Sequence, residues 1–593
     1  MCGFIASFGL DYKVSDFKNA LNHLSRRGPD SEGIWNSEKV FMGSRRLSIF
    51  DLKDRSNQPM ISLCSRYIII FNGAIYNYKN LREYLLKKNI NLKTESDTEV
   101  ILELYALEGT NMIDKLQGMF AFVIWDKIKK EAFAARDPYG IKPVYIGTGK
   151  DGLILSSQVK TLLLTKFINK DTDLHSKFSY YKLGYVLEPR TWYKNIKALK
   201  PGNFILIKNG KLVTEKEWYD LGRNWEIADK SKKLKLQNNY KDIIKKALIA
   251  SVKRHLISDV PIGIFLSSGI DSTLIAAIAS ENSKKKITAI TVSFDEFNNS
   301  EQNETVQAGK IAKKFGINHY IYKVSRDDFN KDFPKIIEAM DQPSIDGINI
   351  WYASKAAKKL KLKVVFSGVG GDELFYGYDH FKTIPILYNC LRFAKKFKIL
   401  KILINVFFNI LKNVKRDNRW KYLMKFSNSI FELWLIKRTI MSDIEIIKKY
   451  RNLDSVLNIF YNEAININKK YTYKNHKINL SQIESMYYLK NQLLKDSDWA
   501  SMYHGVELRT PFVDATLLED LKEVMAKYSF DKNKISIISS FKSILPKNVK
   551  FDRKIGFQTP IQKWLKKDFI SKNYEKNRDL YNFMKIVTDS IKN

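Results

Sequence analysis

The stretch VPIGIFLSSGIDSTLIAAIAS, residues 260–280, restricts the possible fold more than any other part of the chain. A short apolar run, a Ser/Gly turn and a second apolar segment predict a strand, a tight turn and a helix. Two further apolar runs follow at ITAITVSF (287–294) and LKVVFSG (362–368). Strands that alternate with helices predict a doubly wound, parallel α/β sheet for this half of the chain.

The turn after the first strand has the composition of a phosphate-binding loop. Ser267, Ser268, Gly269 and Ser272 are small or hydroxylic, so backbone N–H groups can approach a phosphate chain at the start of a helix. Asp271 would repel a bare phosphate but suits a ligand of Mg²⁺ that bridges phosphates. The alternative interpretation is an ordinary turn with an Asp near a helix start.

A second loop, SGVGGDELFYGY (367–378), follows another apolar strand. Ligands of doubly wound sheets bind at the carboxyl ends of the strands, so both loops are expected at one edge. Asp372 is the predicted second carboxylate for the metal ion, while Ser367 and Gly368 are predicted to line a nucleotide.

These loops resemble those of a known family. SSGIDS resembles the SGGxDS loop of ATP pyrophosphatases that adenylate a carboxylate, and SGVGGDELFYGY resembles the SGxGxDExxxGY segment of asparagine synthetases. Two later stretches, LLKDSDWASMYHGVELRTPFVD (493–514) and RKIGFQTPIQKWL (553–565), also resemble that family. The resemblance implies ATP and Mg²⁺ as cofactors, Leu266 and Val292 as nucleotide contacts, and Lys554 beside the adenylate.

The N-terminal half shows short apolar runs between turn signals, which predict a β-rich domain with a few helices. A polar stretch, ADKSKKLKLQ (228–237), follows it. We therefore expect a domain over 1–220, a linker over 221–237 and an ATP-binding domain over 238–593, mostly helical from about residue 380.

The same half carries the motifs of an N-terminal-nucleophile glutaminase, in the order found in the family. They are RRGPDSEG (26–33), RRLSIFD (45–51), FNGAIYN (71–77), ESDTEVIL (95–102), LQGMFAFVIWD (116–126) and RDPYGIKPVY (136–145). The resemblance implies an αββα sandwich for this domain.

Cys2 is the predicted nucleophile of the glutaminase. A thiol is the best side-chain nucleophile near neutral pH, because some thiolate already exists there. If Met1 is removed, the α-amino group of Cys2, with an unperturbed pKa near 8, can act as the general base. This chemistry needs no catalytic histidine.

Residues of the glutaminase motifs are predicted to hold glutamine. Arg46 can clamp its carboxylate, Asp97 can bind its ammonium, and Asn72 and Gly73 can donate to the oxyanion. Surface ion pairing is the alternative interpretation of Arg46 and Asp97. The resemblance adds further residues to the glutamine pocket, namely Leu47, Ser48, Ile49 and Ala74.

The two halves imply a glutamine-dependent amidotransferase. One half releases ammonia, which an internal passage delivers to a carboxylate activated as an acyl-adenylate. Aspartate is the expected acceptor, giving asparagine with AMP, pyrophosphate and glutamate. Three residues depart from the family pattern: Ser268 replaces a glycine, and Ala74 and Val369 each replace a glutamate. Because valine cannot accept hydrogen bonds, a larger acid such as a sugar uronate of surface-polysaccharide assembly stays an alternative.

Charge and cysteine content limit which partners and which cellular compartment are expected. Lys and Arg number 100 against 63 Asp and Glu, but the lysines are spread along the chain, so no nucleic-acid partner is expected. The three cysteines show neither CxxC pairing nor metal-ligand spacing, which favours a reducing compartment. Without a recognisable signal peptide we expect a cytoplasmic enzyme, and we also expect a homo-oligomer.

The segment KILKILINVFFNILK (398–412) has polar residues along one narrow helical stripe. These are Lys398, Lys401, Asn405, Asn409 and Lys412. A mostly buried helix is the first interpretation, and a basic amphipathic helix that contacts a membrane surface is the alternative.

Overall fold

The computed structural model describes residues 2–230, 240–298, 300, 302–397, 402, 427–471, 473–527, 534–546, 559–561, 563–564 and 579–592. In this part of the chain the N-terminal strands form two six-stranded antiparallel sheets, ordered β10-β8-β9-β1-β3-β2 and β12-β11-β7-β6-β5-β4. The strands are β1 Cys2–Phe8, β2 Ser31–Ser37, β3 Val40–Arg46, β4 Met60–Ile61, β5 Tyr67–Ile75, β6 Gly118–Asp126, β7 Glu131–Arg136, β8 Tyr145–Thr148, β9 Leu153–Ser156, β10 Ile196–Ala198, β11 Asn203–Lys208 and β12 Lys211–Glu217.

The two sheets stack face to face and helices cover their outer faces. Phe4 of the first sheet and Val123 of the second belong to the apolar core between them. Helices α1 (Val14–Asn22) and α4 (Val159–Leu164) cover the first sheet, while α2 (Tyr78–Lys87) and α3 (Asp97–Glu108) cover the second. Along buried strands such as β1 and β5, successive apolar side chains alternate between the core that joins the two sheets and a core under the helices, and the predicted αββα sandwich is confirmed.

The second half is built on a parallel sheet, ordered β15-β14-β13-β16-β17. Its strands are β13 Ile262–Phe265, β14 Thr288–Phe294, β15 Asn318–Val324, β16 Val364–Phe366 and β17 Glu507–Arg509. All four neighbouring pairs are parallel, which confirms the doubly wound architecture. Strands β13, β14 and β16 are nearly continuous apolar runs because helices bury both faces of the sheet there.

Seventeen further helices are described, and those after residue 380 form the helical C-terminal part. They are α5 Leu174–Leu183, α6 Gly222–Lys230, α7 Tyr240–His255, α8 Ile270–Asn282, α9 Thr305–Lys314, α10 Arg326–Ala339, α11 Ile348–Lys359, α12 Gly371–Leu374, α13 His380–Ala394, α14 Ile430–Arg438, α15 Asp443–Lys449, α16 Leu457–Lys469, α17 His476–Ile483, α18 Lys495–Met502, α19 Ala515–Lys527, α20 Ile535–Ser540 and α21 Asp579–Lys592. A π-helix spans Glu484–Leu494, and short 3-10 turns span Asp54–Ser56, Gly109–Lys115, Asp295–Phe297 and Arg451–Val456.

The predicted linker over 221–237 includes a packed helix in its first half. Trp225 of α6 is fully buried, and its indole Nε1 donates to Ser481 Oγ at 3.0 Å. Burial of a tryptophan fixes this helix against α17. The domain boundaries themselves stay a prediction.

Two predicted features lie outside the described residues. One is Lys554, and the other is the segment 398–412, of which only Ile402 is described. In the part of the chain that is described, no helix is both long and apolar enough to cross a membrane.

Two candidate active sites

Cys2 begins the central strand β1 and lies in the protein interior, with 4% of its surface exposed. Its Cα is paired directly with that of Arg46 on β3. Its backbone nitrogen donates to Asn72 Oδ1 at 3.1 Å. Pairing of β1 with β3 places Arg46 beside Cys2, and a side-chain contact from β5 of the other sheet adds Asn72, so three predicted site residues that are far apart in the sequence meet here.

Asn72 offers a hydrogen-bond donor beside this cysteine. Its Nδ2 is buried and has no hydrogen-bond partner among the described residues. A buried amide without a partner costs free energy, and a developing oxyanion would satisfy it. Gly73 is confined to glycine by its neighbour on β6, since a Cβ there would lie 2.2 Å from the carbonyl oxygen of Met119.

Gln58 is a site residue that the motifs do not reveal. Its Nε2 lies 3.9 Å from Cys2 Sγ and 3.3 Å from Thr98 Oγ1. Its Oε1 accepts from the backbone nitrogen of Phe71 at 2.7 Å. The side chain is thus held at both ends beside the thiol, and only the three-dimensional structure places it there.

The guanidinium of Arg46 is held by the loop that follows β3. Its Nη2 donates to the carbonyl oxygens of Phe50, at 2.9 Å, and Asp51, at 2.6 Å. Its Nη1 donates to Asn57 Oδ1 at 2.9 Å. These bonds give the buried side chain one fixed orientation. The neighbouring predicted pocket residues Leu47, Ser48 and Ile49 are buried as well.

Asp97 is the first residue of helix α3 and lies beside the strand that carries Asn72. Its Oδ2 accepts from the backbone nitrogen of Ile75 at 3.0 Å. Burial raises the pKa of this carboxyl to about 6. Ala74, which stands where the family pattern has a glutamate, is fully buried and contributes no charge here.

The predicted phosphate loop lies between β13 and α8, as its sequence indicates. Ser267 N donates to Ser272 Oγ at 3.1 Å, and Gly269 N donates to Ser267 Oγ at 3.1 Å. Leu266 N donates to the carbonyl oxygen of Ile290 on β14 at 2.9 Å, and Val292 is buried on the same strand. The loop is therefore ordered by its own hydroxyl groups.

Ser268, which replaces a family glycine, binds a carboxylate that sequence reasoning missed. Its backbone nitrogen and its Oγ donate to Glu304 Oε1, at 3.1 and 2.7 Å. Burial raises the pKa of Glu304 above its ordinary value. Glu304 precedes helix α9 without a motif that would mark it as part of this loop.

The two predicted metal ligands converge on one cation. Lys534 Nζ lies 2.5 Å from Asp271 Oδ1 and 2.9 Å from Asp372 Oδ1, and it is buried. Both carboxylates raise the pKa of this lysine, which stays protonated. Gly371 permits the approach, because a Cβ there would lie 2.6 Å from the Asp271 carboxylate.

The arrangement of the Asp271 and Asp372 carboxylates is suited to Mg²⁺. The ammonium of Lys534 occupies the position of a cation between the two carboxylates, so Asp271 and Asp372 fit a small hard cation with oxygen ligands. Among the described residues, no group of three or more His, Cys, Asp and Glu side chains is arranged to hold a metal ion. Mg²⁺ at this pair would therefore need oxygen ligands from the nucleotide and water as well.

Other motif residues have structural contacts. Glu507 and Arg509 on β17 pair with each other in the core, and Arg509 Nη1 donates to the carbonyl oxygen of Ile257 at 2.6 Å. Val369 is half-buried and packs against the main apolar core. A valine at this position presents only methyl groups.

Known proteins resemble the chain over both halves. A glutamine amidotransferase domain model matches residues 1–219, and an asparagine synthase model matches residues 244–580. Asparagine synthetase [glutamine-hydrolyzing] 1 of Bacillus subtilis is 30% identical, over 96% of this chain and 88% of that protein. A putative asparagine synthetase [glutamine-hydrolyzing] of Mycobacterium bovis is 32% identical, over 92% of this chain and 84% of that protein.

A more distant relative has another name. Amidase chry2 of Gibberella zeae is 27% identical, over 62% of this chain and 56% of that protein. The match to both domain models, together with the two full-length relatives, fixes the family. The chain belongs to the glutamine-hydrolysing asparagine synthetases, in which a glutamine amidotransferase domain precedes an asparagine synthase domain.

Proposed function

We propose that the enzyme converts aspartate to asparagine with glutamine as nitrogen donor and ATP as the source of activation. AMP, pyrophosphate and glutamate are the further products. The observation that carries the proposal is the convergence of Asp271 and Asp372 on one cation beside the phosphate loop. A site that holds a metal-bound triphosphate at a sheet edge supports adenylation of a carboxylate.

In the glutaminase half, Cys2 Sγ attacks the carboxamide carbon of glutamine. The α-amino group takes the thiol proton and passes it to the leaving ammonia. Asn72 Nδ2, which has no partner in the described structure, and the N–H of Gly73 donate to the oxyanion. Arg46 and Asp97 hold the carboxylate and the ammonium of glutamine, and water then hydrolyses the thioester to glutamate.

In the synthetase half, an acceptor carboxylate oxygen attacks the α-phosphorus of ATP, and pyrophosphate leaves. When bound between Asp271 and Asp372, Mg²⁺ supplies neutralisation of the phosphate charge. Lys554, as the family resemblance implies, would stabilise the adenylate. Ammonia that reaches this site by an internal passage attacks the acyl carbon, the acyl–oxygen bond to AMP breaks, and the amide forms.

Aspartate is the acceptor we propose, because the two full-length relatives are named asparagine synthetases. Val369 offers no hydrogen bond to an acceptor, so other groups must bind its polar atoms. Neither the folded structure nor the relatives favour a sugar uronate.

The test is acceptor-dependent release of pyrophosphate by the purified full-length chain with ATP, Mg²⁺ and glutamine. Aspartate should give pyrophosphate, AMP, glutamate and asparagine in equal amounts. Galacturonate and glucuronate serve as alternative acceptors in parallel reactions. Pyrophosphate release that needs a uronate, with none from aspartate, would overturn the proposed acceptor, while glutamate release without any acceptor would isolate the glutaminase half.

A further inference from the structure

The glutamine loop, residues 47–51, is anchored by a side chain of the synthetase half. Asp259 Oδ2 accepts from the backbone nitrogen of Asp51 at 2.8 Å. The backbone nitrogen of Asp259 donates to the carbonyl oxygen of Ile49 at 3.2 Å. The carbonyl oxygen of Asp51 in turn accepts from Arg46 Nη2. A single residue of the loop therefore separates Asp259 from the guanidinium that clamps glutamine.

A second anchor comes from Lys363, which is half-buried between the two halves. Its Nζ lies 2.7 Å from Asp30 Oδ2 and 3.5 Å from the carbonyl oxygen of Ser48. Asp30 Oδ2 also accepts from the backbone nitrogen of Ser48 at 2.7 Å. The ammonium thus fixes one carboxylate that itself holds the glutamine loop, through charge-assisted bonds.

Both anchors lie at the amino ends of strands. The same strands lead, at their carboxyl ends, to the two ATP loops, which are the phosphate loop after β13 and the loop 367–378 after β16. Asp259 precedes β13, which leads to the phosphate loop, and Lys363 precedes β16, which leads to Ser367 and the second loop. The two strands are paired in parallel at the centre of the sheet. From Lys363 to Ser367 is about 13 Å at 3.3 Å per residue.

These strands are stiff connections between the ATP loops and the two anchors of the glutamine loop. Val364, Val365 and Phe366 of β16 are fully buried, and so is Ile264 of β13. A closely packed interior transmits a displacement with little local relaxation. If the ATP loops move, rigid strands carry the displacement to Asp259 and Lys363, and through them to the glutamine loop.

We propose that Asp259 and Lys363 are positioning residues through which the synthetase sheet sets the affinity for glutamine. The proposal rests on the proposed function, since it concerns glutamine and ATP at these two sites. Occupation of the ATP loops changes the affinity for glutamine, and by linkage glutamine changes the affinity for the nucleotide by the same factor.

The experiment measures glutamine hydrolysis with and without α,β-methylene ATP, which binds without releasing pyrophosphate. In the unmodified enzyme the KM for glutamine differs between the two conditions. Lys363→Met should raise this KM about tenfold, the loss of one charge-assisted contact, and bring the ratio of the two KM values to one. The kcat of glutamine hydrolysis should change less than twofold, and Lys363→Arg should restore the ratio.

Asp259→Ala is the second variant. It removes the carboxylate, before β13, that accepts the hydrogen bond from the backbone nitrogen of Asp51. Lys361→Met is the matched control, since Lys361 is exposed and lies two residues from Lys363. Ammonia-dependent pyrophosphate release reports that each variant is folded. A ratio of one between the two KM values in the unmodified enzyme, or an unchanged ratio in Lys363→Met, overturns the proposal. Failure of the proposed function is a different result, the absence of glutamate release by the unmodified enzyme.

Discussion

The guanidinium of Arg27 donates two hydrogen bonds to the carboxylate of Asp498, at 2.7 and 3.1 Å, and joins the glutaminase half to the synthetase half. The Arg27 side chain is 2% exposed and that of Asp498 is 10% exposed. Lys142 Nζ is a more distant neighbour, 4.0 Å from Asp498. This pair is one of the contacts that dock the two halves, and its charges are largely removed from water.

Arg27→Met should lower the free energy of unfolding by about 3 kcal/mol, because it leaves Asp498 as a buried carboxylate without its main partner. Urea unfolding followed by tryptophan fluorescence measures the change. Arg27→Met/Asp498→Leu should recover most of the loss, since neither charge then remains buried. A double variant no more stable than Arg27→Met would contradict this account.

Sequence patterns predicted the strands that carry the site more successfully than the contacts between motifs. Short apolar runs marked β13, β14 and β16, because these strands are buried on both faces. Both Arg27 and Asp498 stand in recognisable motifs, but 471 positions separate them. Nothing in either motif states its partner, because docking of two halves depends on their surfaces.

The elements that sequence analysis did not predict have weak patterns. Strand β15 is mostly exposed or half-buried and mixes polar with aromatic residues, and β17 is the three residues Glu507–Arg509, two of them charged. Lys534 and Gln58 stand outside every motif recognised in the sequence. Their roles follow from which side chains lie close together in the folded protein, and the periodicity of the sequence does not indicate that.

Cys2→Ala should abolish glutamate release from glutamine, because no other thiol is placed at the glutaminase site among the described residues. Ammonia-dependent pyrophosphate release should stay within twofold of the unmodified enzyme, since the synthetase site is unchanged. Cys64→Ala is the matched control, because it removes an exposed thiol. Glutamine hydrolysis that survives in Cys2→Ala would refute the assignment of the nucleophile.

Glutamine binding should weaken below about pH 6. Burial raises the pKa of Asp97 to about 6, so below that pH the carboxyl is protonated and no longer attracts the substrate ammonium. The Kd for glutamine should rise about tenfold per pH unit there and level off above it. Calorimetric titration of Cys2→Ala measures binding without turnover, so the pH dependence of the catalytic step does not enter.

Asp97→Asn provides the comparison for this pH dependence. It should bind glutamine weakly at every pH, because an amide carries no charge to pair with the ammonium. A Kd in the Cys2→Ala protein that is constant from pH 5 to 8 would be inconsistent with Asp97 as the ammonium ligand.

Lys534→Met should destabilise the metal-free protein and increase its response to Mg²⁺. Without the ammonium, Asp271 and Asp372 face each other as like charges, at a cost of about 3 kcal/mol. Magnesium then binds the pair without displacing a lysine, so millimolar Mg²⁺ should raise the Tm of the variant more than that of the unmodified protein. Lys542→Met, at an exposed position on the following turn, should respond like the unmodified protein. Equal Mg²⁺-induced shifts in Lys534→Met and in the unmodified protein would show that the lysine and the metal ion do not compete for these carboxylates.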